Sequence, residues 1–382
     1  MALVWEEAAV AATETIPLQA ALVAAVLALP NLGSVAHAET APDRGYVGFK
    51  VLDYLDSQPG AERIRVKAPA ITALVPINAE WSASGTLITD SISGASPAYH
   101  SSALTPMHDF RRAFDASLTR YLPQGTWSLG ASHSKERDYL SRSLYGSATR
   151  SDESKNTVWN WGASYTDDLI NPTNHIVTDE TKRSVDLIAG VTQVVSANDI
   201  VQLNLGWSQS QGYLSDPYKV MDERPHSRIR QTLQTRWNHH LDDTDATLRG
   251  AYRYFQDNWG IRAHTFELEH VQPLAEDWKI TGGLRYYTQN AARFYVNADG
   301  SNGPFAPSPP QGAAWYSMDQ RLSGYGAVTL SAKLIYQIDR DTAIDLKYEL
   351  YEQRAAWAMG AGSPNLLPFR ARSVQWGLTH WF

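Results

Sequence analysis

Polar and apolar residues alternate with a period of two along most of this chain. In residues 201–208 the odd positions carry Val, Leu, Leu and Trp, whereas the even positions carry Gln, Asn, Gly and Ser. Residues 278–286 and 344–350 repeat the alternation with charged residues on the polar side. Successive side chains of a β-strand point to opposite faces, whereas an amphipathic helix spaces its apolar residues three or four apart. The pattern therefore predicts strands with one apolar and one polar face.

The connections between these strands alternate in length, as they do in outer-membrane barrels, where short periplasmic turns alternate with longer extracellular loops. We place short turns at 78–80, 123–125, 196–199, 242–245, 276–277 and 339–341. We place longer loops at 93–109, 167–182, 212–226, 297–320 and 354–372. Counting strands between them gives roughly 16, an even number that returns both termini to one side. We predict an all-β fold, a transmembrane antiparallel up-and-down β-barrel.

An export signal is predicted at the N-terminus. Residues 18–29 are uncharged and rich in Ala, Leu and Val, and the small-x-small sequence Ala36-His37-Ala38 follows them. The apolar run is shorter than the roughly 20 residues of a transmembrane helix. We therefore predict a signal peptide over residues 1–38 and a barrel over 39–382. The first 17 residues contain no Lys or Arg and three Glu, which departs from a positive n-region and leaves the true start codon open.

Composition narrows the surroundings of the predicted barrel. The chain has 382 residues, a net charge of −7 and no Cys, which excludes disulfides and thiolate metal sites and disfavours a nucleic-acid surface. Its 13 Trp and 19 Tyr suit the aromatic girdles found where hydrocarbon meets water. We therefore expect outer-membrane lipids as neighbours and no nucleic acid partner.

The last strand carries the most specific local pattern. Val374, Trp376 and Leu378 alternate with polar residues, and the chain ends on Phe382. This arrangement resembles the signal that the barrel-assembly machinery recognises, although His380 departs from the usual apolar residue. The alternative is an ordinary amphipathic edge strand of a soluble β-sandwich, but such an edge would invite aggregation.

Nine segments carry a resemblance to a known family. They are residues 48–54, 63–69, 90–97, 170–172, 199–204, 215–220, 236–240, 260–265 and 285–289. With them the predicted mature chain resembles a proteobacterial family of outer-membrane proteins known only as a domain of unknown function. The resemblance implies no activity. Members tend to be encoded near a small lipoprotein, a flavin transferase and a thioredoxin-like protein, which implies a link to periplasmic redox or cofactor traffic and a small periplasmic lipoprotein as a partner.

Charged residues are numerous in the predicted strands, and we assign them to the lumen because they must face water or one another. One interpretation is a selectivity lining in which an arginine cluster draws anions. The other, which we favour for most of them, is a network of cross-strand ion pairs. The lumen candidates are Lys50, Arg65, Lys67, Asp115, Arg228, Arg230, Arg236, Arg249, Arg253, Glu267, Glu269, Arg285, Asp345, Lys347 and Glu349.

Histidines offer a weaker chemical signal. His100, His108, His175 and His226 fall in predicted outer loops, where they would bind a transition metal if the loops fold together. The adjacent His239 and His240 point to opposite faces of a strand and cannot chelate one ion. The chain has no nucleophile elbow, HExxH, P-loop or dinucleotide fingerprint. We assign no catalytic residue and predict no cofactor.

Three functions remain open at this stage. The leading one is a channel or transport barrel for a small polar or charged solute. The second is a non-conducting scaffold for a periplasmic redox or lipoprotein partner. The third is an outer-membrane hydrolase with a histidine such as His100 or His264 at the rim.

Overall fold

Sixteen strands form the described part of the chain. The computed structural model describes residues 40–95, 106–219, 221–297 and 310–382. The strands are β1 (Tyr46–Gln58), β2 (Ala61–Asn78), β3 (Trp81–Ala95), β4 (Pro106–Leu122), β5 (Gly125–Lys135), β6 (Tyr139–Ser151), β7 (Thr157–Ile170), β8 (Glu180–Val194), β9 (Asp199–Gly212), β10 (Ser227–Leu241), β11 (Ala246–Asp257), β12 (Arg262–Ala275), β13 (Trp278–Gln289), β14 (Tyr325–Gln337), β15 (Thr342–Arg354) and β16 (Phe369–Trp381). Short 3₁₀ turns occupy Gln320–Leu322 and Ala355–Trp357. No helix among the described residues is long and apolar enough to cross a membrane.

The strands close into a single ring. Each strand pairs antiparallel with its neighbours in sequence, and β1 pairs with β16 from Tyr46 opposite Trp381 to Ser57 opposite Arg370. The rings of Phe49 and Trp376 meet across this seam with centroids 5.3 Å apart. A closed sheet has no unpaired edge, so the soluble-sandwich alternative is wrong and the predicted barrel of about 16 strands is confirmed.

The two ends of the barrel differ in their connections. One end, which we call the turn end, contains all six predicted tight turns and a seventh connection at 152–156 that the pattern did not predict. The first strand begins and the last strand ends at this same end. At the other end, called the loop end, lie the long connections at 171–179, 213–226, 290–324 and 355–368. Three further loop-end connections, at 59–60, 136–138 and 258–261, are shorter than any we predicted.

The outward face of the ring is apolar around its middle, and we call this band of exposed apolar side chains the apolar belt. Large side chains such as Leu129 and Leu144 are 60% and 63% exposed there. Near the turn end the same face carries an aromatic girdle, in which the Trp278 and Tyr336 rings stack with centroids 4.4 Å apart. Val374, Trp376, Leu378 and Phe382 of the C-terminal pattern also lie on this outward face and are exposed. The outer surface thus has the composition expected of a barrel wall in lipid.

Arg65 and Lys67 lie on the outward face of β2, so their prediction as lumen residues is wrong. They occupy the same set of alternate positions as the exposed Ile71 and Val75. The other set of positions in this part of β2 points inward and is apolar, and it includes Val66. These inward residues form one cluster: Leu52, Tyr54, Ile64, Val66 and Ala68. The prediction rests on the assumption that the apolar face of every strand contacts lipid, whereas near the loop end of β2 the apolar side chains pack inside the barrel.

Two sequence predictions fall on residues that the structure does not describe. The predicted signal peptide, residues 1–38, lies outside the described residues, and so does His100. These predictions stay as they were made.

Candidate functional site

An arginine-rich surface covers the inward face of β10–β13, and we call it the arginine wall. Register places the wall on one face of four neighbouring strands, because Arg249 lies opposite Glu269 and Glu267 opposite Arg285. Its charged members are Arg228, Arg230, Arg236, Arg249, Arg253, Asp257, Glu267, Glu269 and Arg285. Six guanidinium groups therefore meet three carboxylates, which leaves a positive excess.

Acidic groups lie close to Arg249, Arg285 and Arg228. Arg249 lies 3.6 Å from Glu269, and Arg285 lies 3.3 Å from Glu267. Arg228 bonds to the fully buried Asp257 at 2.8 Å, and its guanidinium lies 4.3 Å from the Trp259 ring centroid. Arg228 thus holds β10 against the end of β11 and the short 258–261 loop, and its charge is paired with that of Asp257.

The other two arginines of β10 lie among polar and charged residues. Arg230 donates hydrogen bonds to the hydroxyls of Ser208 at 2.7 Å and Ser210 at 3.1 Å, and it lies opposite Asp257 in the β10–β11 pair. Arg236 lies directly opposite Gln202 on one side and Ala251 on the other. Asp257 is thus the one carboxylate that register places opposite an arginine of β10 among the described residues.

A second charged group spans β14, β15 and β1, and both of its carboxylates are paired with lysines. Lys347 lies 2.6 Å from Glu349, and Lys333 lies 3.8 Å from Asp345. The inward-facing Lys50 of β1 is buried as well. This part of the lumen fits the ion-pair network that we favoured from the sequence. The arginine wall, with its positive excess, fits the selectivity lining.

Hydroxyl groups cover much of the inward face of β5–β8, a feature that our sequence reasoning missed. Ser184 bonds to Ser210 of β9 at 2.9 Å, and the buried Asp168 pairs with Lys182 at 3.1 Å. The inward hydroxyl residues are Ser128, Ser132, Ser134, Ser141, Ser143, Ser164, Thr166 and Ser184. The serines at alternate positions of 128–134 and 141–143 are the sequence signal of this surface. The sequence prediction of the lumen included charged residues alone.

The mouth of the barrel carries an ion cluster that we call the mouth latch, consisting of Lys219, Arg224, Asp319 and Arg321. The carboxylate of Asp319 is fully buried and accepts from all three cations. Lys219 Nζ lies 2.6 Å and Arg224 Nη2 2.7 Å from Asp319 Oδ2. Arg321 Nε lies 2.9 Å from Oδ1 of the same group. One carboxylate thus ties the 213–226 loop to the 310–324 segment.

Neighbouring groups complete the latch. Asp222 binds Arg224 at 2.8 Å and accepts a short hydrogen bond from the Ser317 hydroxyl. Asp216 lies 3.2 Å from Arg321. Burial alone would raise the pKa of Asp319, but the surrounding cations outweigh it and hold that pKa well below its ordinary value. Burial also lowers the pKa of Lys219, with Arg321 adding to the effect.

The 310–324 segment is fixed to the barrel wall by its own sequence. Asp319 caps the 3₁₀ turn of Gln320–Leu322 by accepting from the Arg321 backbone N–H at 3.0 Å. Leu322 then packs into an apolar cluster with Trp259, Ile261 and Ala292. Gln320 accepts a hydrogen bond from Gln58 of β1 at 3.2 Å. The segment therefore reaches from β13 to β1 over part of the mouth.

A cavity of about 40 Å³ lies at the loop end, lined by the 310–324 segment and by β13–β16 and β1. Tyr54, Tyr325 and Tyr351 line it together with Arg285 and Glu349. The cavity therefore joins the mouth latch to one end of the arginine wall. Its aromatic lining is largely buried and packed, since Tyr54 is only 1% and Tyr325 only 6% exposed.

Of the predicted histidine ligands, the structure describes the side chains of His175 and His226, and it groups neither of them into a metal site. His226 contacts the Gly212 carbonyl through Nδ1 at 3.2 Å, and His175 is exposed in the 171–179 loop. His108 lies in β4. Among the residues that the structure describes, no three His, Cys, Asp or Glu are grouped to hold a metal ion. His264, the third residue of β12 from the loop end, lies on the outward face, where its ring nitrogen bonds Tyr252 at 2.8 Å.

The family can be assigned from the sequence of the barrel itself. The model of the family described as "Protein of unknown function (DUF3570)" matches residues 99–371, from the β3–β4 connection into β16. The chain belongs to this family. The resemblance that we found in the sequence is thereby confirmed, and DUF3570 supplies no activity for the barrel. No curated protein matches the chain.

Among solved structures, this DUF3570 chain is similar to several outer-membrane barrels. The siderophore receptor PirA from Pseudomonas aeruginosa is 9% identical over 89% of this chain and 80% of its own, with a TM-score of 0.47. A bacterial polysaccharide outer membrane secretin is 8% identical over 88% of this chain and 98% of its own, with a TM-score of 0.48. The outer membrane protein OmpT of Vibrio cholerae, as a loop L8 deletion mutant, is 8% identical over 89% and 100%, with a TM-score of 0.43. Likenesses this distant say nothing about a solute.

Proposed function

We propose that this DUF3570 chain is an integral protein of the bacterial outer membrane that works as a channel for small anionic solutes. The positive excess of the arginine wall carries the proposal. The membrane location is supported by the exposed apolar belt and the aromatic girdle on the outward face, which would be unfavourable in water. With the turn end in the periplasm, the latch faces the outside.

The arginine wall would act by replacing part of the hydration shell of an anion. A ring of 16 strands leaves a lumen wide enough for water. Guanidinium groups in such a lumen lower the free energy of an anion and raise that of a cation. The serine hydroxyls of β5–β8 can donate hydrogen bonds to the same anion without holding it as tightly as a charge does. A weak multi-point surface of this kind favours passage over capture.

Neutralising the arginine wall should reduce anion preference. In a planar bilayer with a KCl gradient, we expect the wild-type reversal potential to indicate preference for Cl⁻. The double variant Arg236→Gln with Arg253→Gln should lower the Cl⁻ to K⁺ permeability ratio roughly two- to fivefold, because charges in a water-filled pore act through a high dielectric. Lys67→Gln serves as the control, since it removes one positive charge from the outward face instead of the lumen.

An unchanged reversal potential in the double variant would contradict the proposal. If the double variant and Lys67→Gln both have the reversal potential of the wild-type protein, the arginine wall does not set selectivity. The arginines would then be structural, as the balanced charges of β14 and β15 are.

A further inference from the structure

The outward face of the barrel carries a group of exposed cations close to the loop end, which the channel function does not use. We call it the outer basic patch. It spans β4–β6 and β8 and consists of Arg112, His133, Lys135, Arg142 and Arg183, all of which are exposed. Strand phase places every one of them on the same face as the lipid-facing Phe114 and Leu144.

Register sets one pair of like charges directly against each other in this patch, because Arg112 lies opposite Lys135 in the β4–β5 pair. In the adjacent β5–β6 pair the basic residues His133 and Arg142 also lie opposite each other. Like charges directly opposite on neighbouring strands are destabilising. The sequence thus places Arg112 and Lys135 where they repel each other in the isolated barrel, which points to a counter-charge outside the protein.

Acidic side chains of the barrel supply only part of that counter-charge. Asp167 is opposite both Arg142 and Arg183, and it forms its ion pair with Arg183 at 3.2 Å. Among the described residues, no carboxylate lies within ion-pair distance of Arg112 or Lys135. Arg112 instead lies over the Phe110 ring, 5.2 Å from its centroid. In the part of the chain that the structure describes, Asp167 is thus the carboxylate beside Arg142 and Arg183, and Arg112 and Lys135 are paired with none.

The patch lies immediately above the apolar belt. Phe114 follows Arg112 by two residues and is 53% exposed, and Leu144 follows Arg142 by two residues and is 63% exposed. In the membrane location proposed above, Phe114 and Leu144 contact acyl chains. The cations two residues nearer the loop end then lie at the level of lipid headgroups.

We propose that the outer basic patch binds the phosphate groups of an anionic glycolipid in the outer leaflet, with its acyl chains on the belt below. The proposal rests on the membrane location and orientation given under the proposed function. Guanidinium groups recognise phosphate through paired hydrogen bonds, and Lys acts as a point charge beside them. The bound phosphates would remove the repulsion between Arg112 and Lys135.

The proposal is tested by lipid titration of the purified protein in neutral detergent, followed by native mass spectrometry. Diphosphorylated lipid A should bind more tightly than its dephosphorylated form and than phosphatidylcholine. The double variant Arg112→Gln with Lys135→Gln should bind diphosphorylated lipid A about 30-fold more weakly, from the loss of two cations near a lipid surface. Inorganic phosphate at the same concentrations should not compete, because it lacks acyl chains to rest on the belt.

A matched control is Arg150→Gln, which removes an exposed outward cation from the turn end of β6. It should leave lipid A binding unchanged. In lipid-free detergent the Arg112/Lys135 variant should melt no lower than the wild-type protein, since it removes a like-charge pair. Equal binding by the wild-type protein and the double variant would overturn the proposal, as would competition by inorganic phosphate. Conductance does not depend on this patch, so a failed lipid experiment and a failed channel experiment remain distinguishable.

Discussion

Replacing Asp319 by Asn should open the barrel mouth at a cost of about 3–5 kcal/mol in local stability, because removing one partner of a buried ion cluster leaves its charges unpaired. Lys219, Arg224 and Arg321 all depend on this carboxylate, and each is largely buried. The effect should appear as faster amide hydrogen exchange in the segments 213–219 and 310–324. Exchange in the barrel strands should stay slow, because the seam of the ring does not involve the latch.

Asp341→Asn is the matched control for that variant. Asp341 pairs with Arg44 at the turn end, and both side chains are about half exposed. Exposed pairs contribute roughly 0–1 kcal/mol, so this change should leave the mouth segments protected. Unchanged exchange in the Asp319→Asn protein would show that the latch does not hold the mouth closed.

Acid should open the barrel mouth only when the pH is lowered far below 7. The pKa of Asp319 is held well below its ordinary value of 3.8, so its stabilising charge is fully present above pH 3.8 and is lost as the pH falls through the lower, folded-state pKa. We expect protection of the mouth segments, corrected for intrinsic exchange rates, to be constant between about pH 8 and 5 and to fall only in strong acid. A transition near pH 6 would assign the opening to another group.

The second large effect is expected on the belt. Leu144→Arg should destabilise the barrel in a bilayer by about 1–2 kcal/mol, since it places a cation on the lipid face between the midplane and the headgroup level. Leu144 is 63% exposed on the outward side of β6. The control is Ser147→Arg on the same strand, which points into the lumen and should cost far less. Urea unfolding in lipid vesicles measures both.

An equal loss of stability in the two variants would contradict the assignment of faces. The inside and outside of the barrel would then not differ in solvent, and the membrane location would have no support from the outer surface.

The barrel could be predicted from the sequence because period-two alternation and turn length are local properties of the chain. Residues 201–208 and 344–350 alternate cleanly, and each lies within one strand of the structure. Arg65 and Lys67 show where this reasoning fails. Alternation identifies two faces of a strand but does not say which face meets lipid, and the apolar Val66 phase packs inside the lumen.

The mouth latch could not be predicted, because its members are far apart in sequence. Lys219 and Asp319 come from different loops, and neither segment has a periodic pattern. The arginine wall was visible only in part. Its residues could be named from alternation, but the pairing of Arg228 with Asp257 depends on the register of β10 with the end of β11 and the loop beyond it.

The most direct test of the channel is the current through single molecules in a planar bilayer, measured for the wild-type protein and for Asp319→Asn. We expect a steady current that favours anions, and a larger or longer-lived open current once the latch carboxylate is removed. If both proteins are silent while still migrating as heat-modifiable folded barrels, the channel is contradicted, and a non-conducting scaffold for a periplasmic partner takes its place.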